Sequence, residues 1–229
     1  GLMLSERLRV LLVDTDPQAS LTLSLLADIP RLTLADVLDK RVTLADAITP
    51  ISERLFIVAA NQRLTATENT LRTNPAGVFA LSKALTTAMA RADVCLIDCM
   101  PTLSQLVTGA LVVSDGVLIP ARPEANDIRG LSPFMALLAD VKEIPGAHCE
   151  LIGIVATMIR TGSTSHAEGV EALAKVGPVI GRIGQTVQVS SASANLTSIA
   201  DVDSGNARAT EYRALAGEIA KWIRRKNAQ

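Results

Sequence analysis

Six short apolar runs recur along the chain, at 10–13, 55–59, 94–97, 117–119, 151–157 and 179–183. They are continuous rather than alternating, the pattern of strands covered on both faces in a parallel sheet. Helix signals lie between them. Thr33-x-x-Asp36 and Thr43-x-x-Asp46 have capping-box spacing with aspartate in the Glu/Gln place. Asn74 followed by Pro75 is an N-cap and first-turn pair, opening a helix with Val78, Leu81, Leu85 and Met89 on one face. A last helix over about 207–226 sets Tyr212, Leu215, Ala216, Ile219 and Ile223 at 3-4 spacing. Strands alternating with helices predict an α/β fold, a doubly wound and mostly parallel sheet with helices on both faces. In such sheets ligands sit beyond the carboxyl ends of the strands, so the residues after each apolar run carry the interest.

Two of those ends deliver carboxylates to one edge. The first run ends in Asp14-Thr15-Asp16-Pro17-Gln18, the third in Asp98-Cys99-Met100-Pro101. Carboxylates so placed hold magnesium, usually through water, or orient a water beside a phosphate. A single aspartate at a strand end more often caps the next helix or turn. The pairing of D-x-D-P-Q with a second Asp-x-x-Pro strand reverses that preference.

Composition narrows the classes. With 229 residues, 48% hydrophobic and net charge −1, the chain is neither disordered nor fibrous. That charge excludes a strongly basic nucleic-acid binder but leaves room for a local patch, of which Lys221, Arg224, Arg225 and Lys226 in the last helical turn are the candidates. The same four cations also suit the carboxyl end of a helix dipole. Five aromatic residues, 3 Phe, 1 Tyr and 1 Trp, argue against recognition by base stacking. Three cysteines without paired spacing, and no signal pattern, predict a reduced, cytoplasmic chain with buried thiols. His148 and His166 lack ligand spacing, so surface or capping roles are expected, with no directly ligated metal.

The segment RVLLVDTDPQASLT (9–22) resembles the second motif of the ParA/MinD family of deviant-Walker P-loop ATPases. VCLIDCMPTLSQLVTGALVVSDGVLIPARPE (94–124) is similar to that family's Walker B strand and the segment after it, with Gly130-Leu131 where a Gly-Leu opens the next helix. The tail 204–223 resembles the closing helix. DPQ favours the ParA-type, DNA-segregating branch. The resemblance implies one P-loop NTPase-like domain over 1–229 with ATP and Mg2+ as cofactors. Asp16 then orients the hydrolytic water, Asp14 supports the magnesium region, Asp98 holds magnesium through water, and Thr157-Met158 falls at the nucleotide-base cleft. It also implies an ATP-dependent homodimer bound to non-specific DNA, a ParB-like partner that stimulates hydrolysis, and a nucleoid-associated protein of plasmid or chromosome partition.

Departures from the family pattern matter as well. No G-x-x-x-x-G-K-[ST] occurs in the chain, which is therefore expected to be an N-terminally incomplete domain, without the first strand and P-loop, and to bind ATP weakly. In the family that strand lies beside the Walker B strand, so 94–97 is expected to border an open apolar gap. Met100 replaces a proline, and the 184–190 segment has glutamines where the family carries arginine. A degenerate, non-hydrolysing relative acting as a binding module and a MinD-like membrane ATPase are the alternatives. The latter has little support, because Trp222 and Ile223 read as core contacts of the last helix, and no membrane partner is expected.

Overall fold

The computed structural model describes residues 1–86, 92–186 and 207–228. Met89 of the expected helical face and 187–190 of the arginine-poor segment lie outside them. The chain divides into two compact units, Gly1–Ser114 and Asp115–Gln229. Both are built from strands joined by helices, as an α/β chain with mostly parallel strands requires.

Unit 1 holds a four-stranded sheet in the order β2-β3-β1-β4, with β1 Val10–Asp14, β2 Ile48–Pro50, β3 Leu55–Val58 and β4 Val94–Asp98. β1 runs parallel to β3 and β4, while β2 is antiparallel. All five residues of β1 are buried, which is why 10–13 reads as unbroken apolar sequence. β2 escaped the sequence reading because three residues, one of them proline, give no periodicity. β4 ends the sheet, and among the described residues its second edge has no strand partner. Val94–Ile97 is accordingly only half-buried despite being apolar.

The helices of unit 1 are α1 Leu2–Ser5, α2 Ser20–Leu25, α3 Leu34–Leu38, α4 Leu44–Ala47, α5 Leu64–Arg72, α6 Ala80–Leu85 and α7 Gln105–Val113. Both expected capping boxes form. Asp36 Oδ2 accepts from the Thr33 amide at 3.1 Å, and Asp46 Oδ2 from the Thr43 amide at 2.9 Å. Asn74 Oδ1 accepts from the Ala76 amide as an N-cap should, yet Pro75–Phe79 winds as a 3-10 turn and the α-helix proper begins at Ala80. A tightened first turn is common at helix N-termini. Leu81, Leu85, Leu106 and Ala110 close over Leu11 and Val13 to make the core.

Unit 2 is a fully parallel three-stranded sheet, β5-β6-β7, of Gly116–Ala121, Glu150–Ile159 and Val179–Gly184. Helices α8 Ala125–Lys142, α9 Thr164–Val176 and α10 Ala207–Asn227 accompany it. α8 opens five residues before Gly130-Leu131, so that pair lies inside the helix rather than at its start. α10 matches the expected span, and its Trp222 ring meets Gly116 of β5, so the tryptophan is a core contact. Gly169 of α9 faces the Pro123 carbonyl so closely that a Cβ would overlap it. Gly169→Ala is expected to destabilise unit 2 by about 1–3 kcal/mol through overpacking, seen as a lowered Tm in calorimetry.

Candidate functional site

The site grows from the β1–β4 register. Asp14 is the partner of Asp98 across this parallel pair, so both strands bring a carboxylate to the same level at their C-terminal ends. Thr15 locks the two ends together: its amide and its hydroxyl both donate to the Asp98 carbonyl, at 3.0 and 2.7 Å.

The three aspartates have different surroundings. Asp14 is fully buried. Its Oδ1 accepts from the Asp16 amide at 3.0 Å, and its Oδ2 from the Thr22 amide at 2.9 Å and the Thr22 hydroxyl at 2.7 Å. Asp16 is half-buried in the turn and its Oδ1 accepts from the Gln18 amide at 2.8 Å. Among the described residues its Oδ2 has no hydrogen-bond partner. Ala19 closes the turn at φ 55, held by its amide on the Asp16 carbonyl at 2.9 Å. A buried alanine in the left-handed region costs about 1–2 kcal/mol, and such strain persists where the surroundings over-determine it.

Asp98 is exposed as a residue. Its carboxyl is nonetheless pushed above the ordinary range, first by removal from water and then by the negative charges of Asp14 and Asp16. Asp14 and Asp16 lie near enough to act on Asp98 by charge, and a hard divalent cation such as Mg2+ takes oxygen ligands. Among the described residues no three His, Cys, Asp or Glu side chains are grouped to hold a metal ion by themselves. A cation here would draw further ligands from water and substrate, as Mg2+ commonly does.

The remaining candidates belong to unit 2. Thr157 and Met158 lie inside β6, just before its end, where the β6–β7 register shifts between Ala156 and Ile159. Met158 takes φ 55 and is 52% exposed. The adjoining loop is fixed by His166, whose Nδ1 accepts from the Arg160 amide at 3.1 Å, and by Arg160 Nε donating to Gln185 Oε1 at 3.1 Å. His166 thus has a capping role and His148 is a surface residue, as their spacing suggested.

The four basic residues near the end of α10 differ in their ion pairing. Lys226 is drawn to Glu150 at 3.0 Å and Lys221 to Glu218 at 2.7 Å. Arg224 and Arg225 are exposed and form no salt bridge among the described residues. All three thiols are free, and burial pushes Cys95 up to about 12 and Cys99 and Cys149 to about 11, so none is poised to react. Among the described residues no helix is long and apolar enough to cross a membrane.

Sequence reasoning missed Thr15, Thr22 and the Ala60 amide that bonds Thr22. Thr22 closes the 9–22 motif, but nothing in its spacing showed that its hydroxyl turns inward.

The AAA_31 model of an AAA domain matches residues 1–149. The chain is 30% identical over 149 residues to maintenance of carboxysome distribution protein A of Synechococcus elongatus, covering 64% of this chain. It is 31% identical over 155 residues to the sporulation initiation inhibitor protein Soj of Bacillus subtilis, covering 66% of this chain. The chain belongs to the ParA-type partition ATPases. It spans 59% of the length of the carboxysome protein and 61% of Soj. Apo McdA from Cyanothece shares the fold at 20% identity, with a TM-score of 0.87 over 96% of this chain and 90% of that one. Cobyrinic acid a,c-diamide synthase of Mycobacterium smegmatis, solved with an ATP analog and magnesium, is 30% identical with a TM-score of 0.75 over 81% of this chain and 79% of that one. The family thus includes partition and positioning ATPases, and structural relatives are solved with ATP or an ATP analog, one of them with magnesium.

Proposed function

We propose that the chain is the core of a ParA-like ATPase that segregates a plasmid, a chromosome or a comparable cargo. The carrying observation is the registered Asp14–Asp98 pair, with Asp16 held beside it and one of its oxygens left without a protein partner among the described residues. Asp16 orients the attacking water through that oxygen. Asp98 holds Mg2+ through water, and the ion supplies charge neutralisation to the phosphoryl oxygens. Asp14, whose oxygens are taken by protein donors, fixes the Asp16 backbone and supports the magnesium region indirectly. Thr157 and Met158 form the base cleft. One domain over 1–229 is part of this reading, supported by a family match that runs through the boundary at Ser114 between the two units.

The working state is an ATP-dependent homodimer on non-specific, nucleoid DNA, released when a ParB-like partner stimulates hydrolysis. DNA contact falls to Arg224 and Arg225, with Lys221 and Lys226 secondary because each is engaged by a glutamate. The test is DNA co-sedimentation of the intact protein with ATP across a salt series. Replacing Arg224 and Arg225 by alanine is expected to weaken binding to all sequences and flatten the salt slope by about two, while Lys226→Ala changes little. Equal losses from all four positions would overturn the division between the arginines and the lysines, and no loss from any of them would remove α10 from the DNA interface.

A further inference from the structure

We propose that Thr22 is a positioning residue for the hydrolytic carboxylate. The proposal rests on the reading of Asp16 as the water-orienting group. Thr22 sits in α2 and is wholly buried, so its side chain meets no substrate. Its hydroxyl donates to Asp14 Oδ2 at 2.7 Å and accepts from the Ala60 amide at 3.0 Å. Ala60 follows the end of β3, itself paired in register with β1 through Val13 and Val58. One hydroxyl is thus shared between the ends of two neighbouring strands.

The other oxygen of Asp14 carries the effect onward. Oδ1 accepts from the Asp16 amide at 3.0 Å. The Asp14 carboxylate is a rigid bar, with Thr22 at one end and the Asp16 backbone at the other. Any rotation that Thr22 permits displaces the Asp16 amide, and with it the Cα that carries the Asp16 side chain. Buried polar groups of this kind are fully satisfied or costly, so the bar has one favoured setting. A hydrophobic residue of the same shape would fill the space and still lose that setting.

Thr22→Val keeps the shape and removes the hydroxyl. The Asp16 amide is then expected to exchange with deuterium about tenfold faster, the size of one lost buried hydrogen bond. In the intact protein kcat for ATP is expected to fall about tenfold with KM unchanged, because the substrate is bound elsewhere. Thr22→Ser, which restores the hydroxyl, is expected to recover both. An unchanged Asp16 exchange rate, an unchanged kcat, or a serine variant that behaves like valine would overturn the proposal. A wild-type protein without ATPase activity would sink the functional reading alone, and the exchange rates would still decide the role of Thr22. Should the valine variant fail to fold, wild-type exchange serves: the Asp16 and Ala60 amides should open in one event with equal protection, and unequal protection counts against the link.

Discussion

Replacing Asp16 by alanine should lower ATP hydrolysis by the intact protein about 100-fold or more while leaving ATP binding in place. The direction comes from how its carboxylate is held. Oδ1 is occupied by the Gln18 amide, which fixes the side chain, and Oδ2 has no partner among the described residues. A carboxylate oriented by one oxygen and open at the other is suited to hold a water for in-line attack, a role worth about 10²–10⁴-fold when removed. The fold should tolerate the change, because Asp16 is half-buried and its backbone amide, not its side chain, bonds to Asp14. Equilibrium binding of a non-hydrolysable ATP analogue beside single-turnover hydrolysis measures both arms. Turnover at the wild-type rate would remove Asp16 from the chemistry, and a parallel loss of binding would make it a ligand for the nucleotide instead.

The strands and the acidic edge were legible because their signals are local. A strand buried on both faces must be apolar throughout, and 10–13 shows it; 94–97 is apolar although only half-buried, and an aspartate follows each run at once. The capping boxes at Thr33 and Thr43 were equally plain, since four residues contain the whole interaction. What stayed hidden depends on contacts distant in sequence. The Thr22 hydroxyl is held by the Ala60 amide, which lies 38 residues away. Thr15 acts on a carbonyl 83 residues away, and carbonyls have no signature in sequence. That Lys221, Arg224, Arg225 and Lys226 share the end of one helix was legible, but the pairing of Lys226 with Glu150, the first residue of β6, was not. Asp14 shows an intermediate case. Its place at the strand end was evident, but the bonds that occupy its oxygens, from the Asp16 amide and from Thr22, were not.

Asp98 exposes a conflict between function and stability, and Asp98→Asn should separate the two. Removal from water, then Asp14 and Asp16, raise its folded pKa above the ordinary 3.8. Between 3.8 and that raised value the folded protein holds more protons than the unfolded chain. Stability therefore falls as pH rises through this window and stays reduced above it. Asparagine carries no such penalty. The variant should melt higher than wild type at pH 7, and the advantage should vanish near pH 3, where residue 98 is largely neutral in both proteins. Exposure of Asp98 to solvent keeps the gain small through screening. Mg2+ should stabilise the wild-type protein against heat and leave the variant unmoved, because the charge that attracts it is gone. Mg2+-dependent hydrolysis in the intact protein should fall about 100-fold or more in the same variant. A variant that is both more stable and inactive marks a carboxylate kept for its chemistry against its cost to the fold. A lower Tm at pH 7 would instead mean that the Asp98 side chain holds the β1 and β4 ends together, a task the structure assigns to its carbonyl and Thr15.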